Sequence, residues 1–326
     1  MKETKATKRI VYLCVILALV LAIVYSGLQI LESTVLHSDP DSETTPSKTI
    51  VRDGVEYFPR QDITTVLLIG VDEFGPVKDS ESYTNTGAAD VNILLIFDET
   101  AQVLNVLHLN RDTMVKMPAL GLGGKPAGTY YGQLALAHTY GSGLEDSCEN
   151  TVKTVSDFLY GISVDYYMAM NMDVIAIMND AVGGVTVQVT EDFSSIDPTI
   201  PMGEVTLLGE QATRFIRARN LGDGLNTSRM ERHEVYVQGF LAALQHTKEA
   251  NMGALLTAYE QAQPYLVTNC SVNALNGMIE RFADFPLGEM VTPAGENVLG
   301  EQYYEFYVDE QALDALILRL LYAPKK

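Results

Sequence analysis

From Ile10 to Leu31 the chain reads "IVYLCVILALVLAIVYSGLQIL", without one charged side chain. That length meets the roughly 20 apolar residues a helix needs to cross the hydrocarbon core of a bilayer. Lys2, Lys5, Lys8 and Arg9 precede it, opposed only by Glu3. Cations on a short flank predict a cytoplasmic tail, residues 1–9, with everything after Glu32 outside. A cleaved signal peptide has a shorter apolar stretch and a small-x-small site close behind it. "YSGLQILEST" matches that poorly, so the reading is an uncleaved anchor over residues 10–31. The tail is too short for a DNA-binding domain, since a minimal folded domain needs roughly 40 residues. This topology opposes a transcriptional regulator.

The 326 residues suffice for one large domain or two modest ones. A formal charge of −20 and a pI near 4.5 argue against a nucleic-acid surface. Cys14 lies inside the apolar run, leaving Cys148 and Cys270 as either one bridge or two thiols. No CxxC pair or Cys/His cluster suggests zinc.

Residues 32–62 are polar, with Ser, Asp, Thr and Pro scattered through them, and read as an extracytoplasmic linker. Folded structure is expected from about Thr64. "TTVLLIG" is a continuous apolar run ended by glycine, as in a strand buried on both faces. "VNILLIFD" and "VLNVLHL", separated by "ETAQ", predict a tight strand pair. Helical periods follow at 149–160, 173–182, 207–219, 229–246, 251–263, 271–284 and 309–322, interleaved with strands such as "VDYYMAMNM", "GVTVQV" and "YYEFYV". Interleaving without repeats predicts an α/β or α+β fold, with helices packed on a mixed sheet.

Arginine is concentrated oddly for so acidic a chain. Eleven occur, and five fall between residues 214 and 232. Arg217 and Arg219 close one helical period; Arg229 and Arg232, three apart, open the next on one face. The planar guanidinium fork suits phosphate or carboxylate, and a helix N-terminus at Ser228/Arg229 would add backbone donors. Arg214 faces elsewhere and reads as surface. Earlier, the "VLNVLHL" strand runs into Asn110, Arg111, Asp112 and Thr113. A cation beside an anion at the end of a buried strand is either an ion pair that finishes the strand or the floor of a site. Asp72 and Asp90 also lie at strand ends, where a carboxylate can cap a turn or hold Mg²⁺.

In order, "VLLIGVD", "ADVNILLIFD", "LNVLHLNRDTMVKMP", "LALAHTYGSG", "GISVDYYMAMNMD", "DAVGGVTVQV", "LLGEQATRFIRAR" and "NTSRMERHE" resemble the motifs of the LytR-CpsA-Psr proteins, over roughly residues 64 to 245. The resemblance implies an αβα sandwich, with a central mixed sheet flanked by helices. The domain would span residues 63–248, and residues 249–326 would be a helical and strand-helix extension packed on it. It implies a membrane-anchored enzyme that moves an anionic glycan, of teichoic acid or capsule type, from polyprenyl pyrophosphate onto peptidoglycan. Carried over by position, Asp72 and Asp90 would bind Mg²⁺, and Arg111, Arg217, Arg219, Arg229 and Arg232 would contact the pyrophosphate. Asp112 would orient Arg111 or help activate the acceptor hydroxyl. The lipid would occupy an apolar tunnel between sheet and helices.

The chain departs from the family pattern at several points. Ala88 replaces an arginine before Asp90, and Ala135 and His138 replace asparagine and tyrosine. Asn226 and Ser228 replace aspartate and glycine, and His233 and Glu234 replace a Gln-Gln pair. A protein that binds polyprenyl phosphates without turnover is the alternative. Asp72, Asp90 and Arg111 favour the enzyme.

Overall fold

The computed structural model describes residues 49–121, 125–218, 226–250, 252–282, 285–301 and 303–325. The cytoplasmic tail and the membrane anchor expected at 10–31 lie outside these residues, as do most of the linker and Arg219. Among the described residues, no helix is long and apolar enough to cross a membrane.

Strands β1 (Ile50–Arg52), β2 (Val55–Pro59), β3 (Ile63–Val71), β4 (Ala89–Asp98), β5 (Val103–Leu109), β6 (Met114–Leu120) and β7 (Pro126–Gln133) open the domain. A 3-10 turn (Leu134–Thr139) leads to helix α1 (Glu145–Phe158), strand β8 (Tyr166–Met170) and helix α2 (Asp173–Ala181). Next come β9 (Val185–Val189), β10 (Gly203–Leu207), α3 (Glu210–Arg217), α4 (Asn226–Ala250) and α5 (Met252–Ala262). The chain ends with β11 (Leu266–Thr268), α6 (Val272–Phe282), β12 (Leu287–Val291), β13 (Gly295–Leu299), β14 (Tyr304–Val308), α7 (Glu310–Leu321) and β15 (Tyr322–Pro324).

Six strands form the central sheet in the order β11-β8-β3-β4-β5-β12. The β3–β4 and β4–β5 pairs are antiparallel, whereas β3–β8 and β5–β12 are parallel. The continuous apolar runs have a plain cause: both faces are covered. On one face Leu67, Ile69, Leu94, Ile96 and Leu107 pack with α1 and α7. On the other, Val66, Leu95, Phe97, Leu104 and Val106 pack with α6. Each such side chain contributes about 1.5–3 kcal/mol when fully buried. A third cluster joins β9 and β10 to helices α2 to α5. There α4 lies close on β9, because a Cβ at Gly239 would meet the Thr186 carbonyl oxygen at 2.4 Å.

Three expectations need correction. Residues 49–62 are not linker: β2 lies between β1 and β15 in a separate sheet. Arg60 ties this segment to the central sheet through Asp62 (2.7 Å) and Asp98 (2.7 Å), and its hydrogen bonds hold the Asp62 carboxyl well below its usual range. One partner of β2 is β1, joined to it across Asp53-Gly54; the other, β15, comes from far along the chain, and composition within residues 32–62 carries no trace of it. The segment after residue 248 does more than pack on the domain, since β11 and β12 are the two edge strands of the central sheet. Finally, α4 begins at Asn226, so Arg229 belongs to its first turn. Cys148 and Cys270 are buried free thiols in different core clusters, on opposite faces of the sheet.

Candidate functional site

At the end of β3 the chain turns outward at Asp72, and β4 begins alongside it. The backbone N–H groups of Asp72 and Asp90 both donate to the Ala88 carbonyl, at 2.9 and 3.0 Å. One oxygen atom therefore sets the two acidic residues side by side. Their side chains then go different ways. Asp90 is 7% exposed; its Oδ1 accepts from Arg111 Nη1 and its Oδ2 from Arg229 Nη1 at 3.0 Å. Asp72 Oδ1 accepts from Arg217 Nη2 at 2.6 Å, and that guanidinium lies 4.8 Å from the centre of the Phe74 ring.

Residues from the ends of β3, β4 and β5 thus meet residues of α3 and α4 at one end of the sheet. Arg111 follows β5, and its Nε lies 3.4 Å from Asp112 Oδ1. Asp112 Oδ1 also accepts from Gln133 Nε2 at 2.9 Å, and Gln133 donates as well to the Tyr304 carbonyl. Asp112 therefore braces Arg111 from the side opposite Asp90. Arg232 lies one helical turn beyond Arg229. It pairs with Glu191 at 2.5 Å and donates to the Ala218 carbonyl just past α3. Its charge fixes α4 against the end of α3. Arg214 lies apart, paired with Asp197 at 2.7 Å.

Behind Arg229, the rings of His108 (β5) and His233 (α4) stack 6.4 Å apart. His233 Nε2 donates to the Ile216 carbonyl at 3.2 Å. Burial, reinforced by the Arg229 charge, lowers His108 to about 4 and His233 to about 3. Both rings are neutral at neutral pH, so among the described residues the positive charges here are guanidiniums.

This charged edge closes one end of an apolar cavity of about 220 Å³ between the sheet and helices α2, α3 and α4. Leu68, Ile93, Met170, Met178, Tyr236 and Phe240 line it, and Asp90, Arg217 and Arg229 stand among its few polar residues. A cavity this apolar, ending on arginines, matches an amphiphile with an anionic head.

The structure therefore gathers Asp72, Asp90, Arg111, Asp112, Arg217 and Arg229, and sets Arg232 one layer behind them. Gln133, Glu191, Phe74 and His108 were not singled out from the sequence. Each works through a partner more than 15 residues away, and no local pattern marks them. Among the described residues no group of three or more His, Cys, Asp or Glu could hold a metal ion. Mg²⁺ commonly takes one or two carboxylates and fills its shell with water and substrate phosphates; Asp72 and Asp90 share a backbone anchor at the Ala88 carbonyl, while their carboxylates are engaged by arginines.

The chain is similar to several known proteins. A polyisoprenyl-teichoic acid–peptidoglycan teichoic acid transferase, TagU, of Oceanobacillus iheyensis is 28% identical over 204 residues, covering 62% of this chain and 55% of the relative. TagU of Bacillus subtilis is 28% identical over 196 residues, covering 60% and 55%. The chain spans just over half the length of these relatives. Among solved structures, B. subtilis TagV superposes with a TM-score of 0.59 at 22% identity, covering 80% of this chain and 96% of TagV. TagT bound to LI-WTA gives 0.57 at 23%, covering 80% and 90%. These structures share the mixed α/β fold. The LytR_cpsA_psr family model matches residues 24–319, and the chain belongs to that family.

Proposed function

We propose that the protein is a glycopolymer transferase of the cell envelope. It takes a polyprenyl-pyrophosphate-linked anionic glycan, of teichoic acid or capsule type, and joins it to peptidoglycan. The observation that carries this reading is the apolar cavity ending on Arg229, Asp90 and Arg217, with Arg111 on the second Asp90 oxygen. The lipid fills the cavity and the pyrophosphate lies at the strand ends. Residues 10–31 anchor the chain, so that the site faces the outer leaflet from which such a lipid is presented.

The acceptor hydroxyl oxygen attacks the phosphorus next to the glycan. A new P–O bond forms, the bond to the bridging oxygen breaks, and polyprenyl phosphate leaves with that bond's electron pair. The hydroxyl proton passes to a base at the site or to solvent. Such a transfer rests mainly on positioning and charge neutralisation, which guanidiniums at fixed positions provide. When pyrophosphate arrives, Arg111, Arg217 and Arg229 exchange part of their carboxylate contacts for phosphate oxygens. Asp112 and Gln133 hold Arg111 at its angle during the exchange. Arg232 stays with Glu191 and keeps α4 in place, and Arg219, outside the described residues, is the further arginine expected at the pyrophosphate. Asp72 and Asp90 would hold Mg²⁺, which when bound neutralises pyrophosphate charge and stabilises the leaving phosphate.

The test is release of polyprenyl phosphate from a lipid-linked glycan donor, given Mg²⁺ and peptidoglycan. Wild-type protein is expected to release it, and Arg111→Ala is expected to abolish release while still folding. Donor binding without release, across teichoic and capsular donors, would instead establish a binding protein.

A further inference from the structure

The small β1-β2-β15 sheet has one face in the core and one outside. Ile50, Tyr57 and Tyr322 face inward and pack in the cluster shared with α1 and α7. The register sets the alternate side chains outward: Val51 stands across from Glu56, and Phe58 across from Ala323. Val51 and Phe58 are diagonal neighbours on the ladder, within reach of an aromatic ring. An antiparallel sheet with one solvated face alternates apolar-in with polar-out. Here valine, phenylalanine and alanine hold outward positions instead. Val51 is 55% exposed and Phe58 39%, and Ala323 is exposed beside them. A contiguous apolar patch left open on a folded domain marks a contact with protein or membrane.

Charges around this face are paired. Lys325 Nζ lies 2.5 Å from Glu56 and 5.7 Å from the centre of the Phe58 ring. Arg52 Nε lies 2.8 Å from Asp314. In so acidic a chain, cations beside the apolar patch offset the repulsion that lipid phosphates would otherwise meet. A lysine whose stem runs along an aromatic ring keeps its head in water while the ring is buried.

Two further facts choose the partner. Residues 32–49 join the expected anchor to β1, and these eighteen residues reach at most about 60 Å. Contact between the face and the bilayer is then intramolecular, so weak apolar burial suffices. The second fact is direction. Strand β2 leads into the start of β3, and Arg60 fastens that junction to Asp98 at the end of β4. The apolar cavity runs from Asp90, at the opposite end of these strands, to the paired Leu68 and Ile93. Its apolar end therefore points toward the end of the sheet that carries β2. We propose that the outer face of the β1-β2-β15 sheet docks on the lipid interface of the membrane that holds the anchor. Val51 and Phe58 enter the boundary between headgroups and acyl chains, and the domain stands with the apolar end of its cavity toward the bilayer. The proposal rests on the reading of residues 10–31 as an anchor.

The chain contains no tryptophan, so Phe58→Trp supplies a single fluorescent reporter at the face. The full chain carrying it is reconstituted in phosphatidylcholine vesicles, with and without lipid brominated near the top of the acyl chain. Bromine is expected to quench the reporter at least twofold, equally at low and high salt. Tyr131→Trp, on β7 beyond the other end of the sheet, is expected to show no quenching. Val51→Asp, a change at an exposed position, should remove at least half of the quenching of the Phe58→Trp reporter. Protein that co-sediments with the vesicles while its reporter stays unquenched keeps the anchor and overturns the docking. Blue-shifted but unquenched emission overturns it too, and gives the face to a second copy or another protein. Equal quenching of Tyr131→Trp, or quenching untouched by Val51→Asp, reduces the contact to general adsorption and overturns the docking as well. Protein that does not co-sediment removes the anchor and the docking together.

Discussion

Asp90 and Asp72 share the Ala88 carbonyl, yet their ion pairs sit in different surroundings. Asp90 and Arg229 have side chains 6% and 8% exposed, whereas Asp72 and Arg217 are at 22% and 41%. The first pair is held away from water, where removing one partner strands a charge at a cost of about 3–5 kcal/mol. The second is largely solvated, and such pairs contribute about 0–1 kcal/mol. One carboxylate thus closes the fold, whereas the other adds little to its stability.

The sharpest break of that contrast is Asp90→Ala, which takes from Arg111 and Arg229 the buried carboxylate they share. We expect a loss of about 3–5 kcal/mol in chemical denaturation, together with loss of transfer. A variant as stable as wild type would show that the Asp90 cluster is as solvated as the Asp72 pair. Arg111→Ala comes next. Asp90 keeps Arg229, so the stability loss should be nearer 1–2 kcal/mol while transfer disappears. Unfolding of this variant would make Arg111 a strand-closing residue first. Arg217→Ala should lower stability by less than about 1 kcal/mol, yet weaken pyrophosphate binding in a titration; unchanged affinity would leave that arginine outside the site.

The smallest effect concerns the two histidines. An unfolded histidine titrates near 6.5, and the folded values are about 4 and about 3. Between those limits the unfolded chain binds more protons, so stability falls as the pH drops below about 6.5. His233→Gln should reduce that slope in melting curves taken from pH 7 to pH 5, with His108 and the likewise lowered, buried His138 carrying the rest. An unchanged slope would place the acid sensitivity elsewhere.

The sequence marked the buried centre of the fold well and its edges poorly. The strands β3, β4 and β5 announce themselves because each is apolar on both faces, and the helices from α1 to α7 by period. The strands β11, β12 and β15 are short, and their partners are distant: Leu287 pairs with Leu104 and Tyr322 with Pro59. Nothing local encodes such pairings. The site was legible in residue type and in order, since the arginine excess at 214–232 and the strand-end carboxylates stand out. What could not be read was the pairing. Arg232 serves Glu191, Arg229 serves Asp90, and Gln133 steadies Asp112. These are choices made by tertiary contacts among several plausible acids.

The small β1-β2-β15 sheet has a mechanical consequence. A pull applied to the chain ahead of Ile50 is taken first by the ladder between β1 and β2, then by the one between β2 and β15. The Lys325–Glu56 ion pair and the Arg60 backbone bond to Leu321 reinforce that second ladder. Only when both give way does tension reach β3 and the strand end that carries Asp72. Strand β15 therefore acts as strain relief for the strand end that carries Asp72, and trimming it should make the domain sensitive to force before it becomes sensitive to heat.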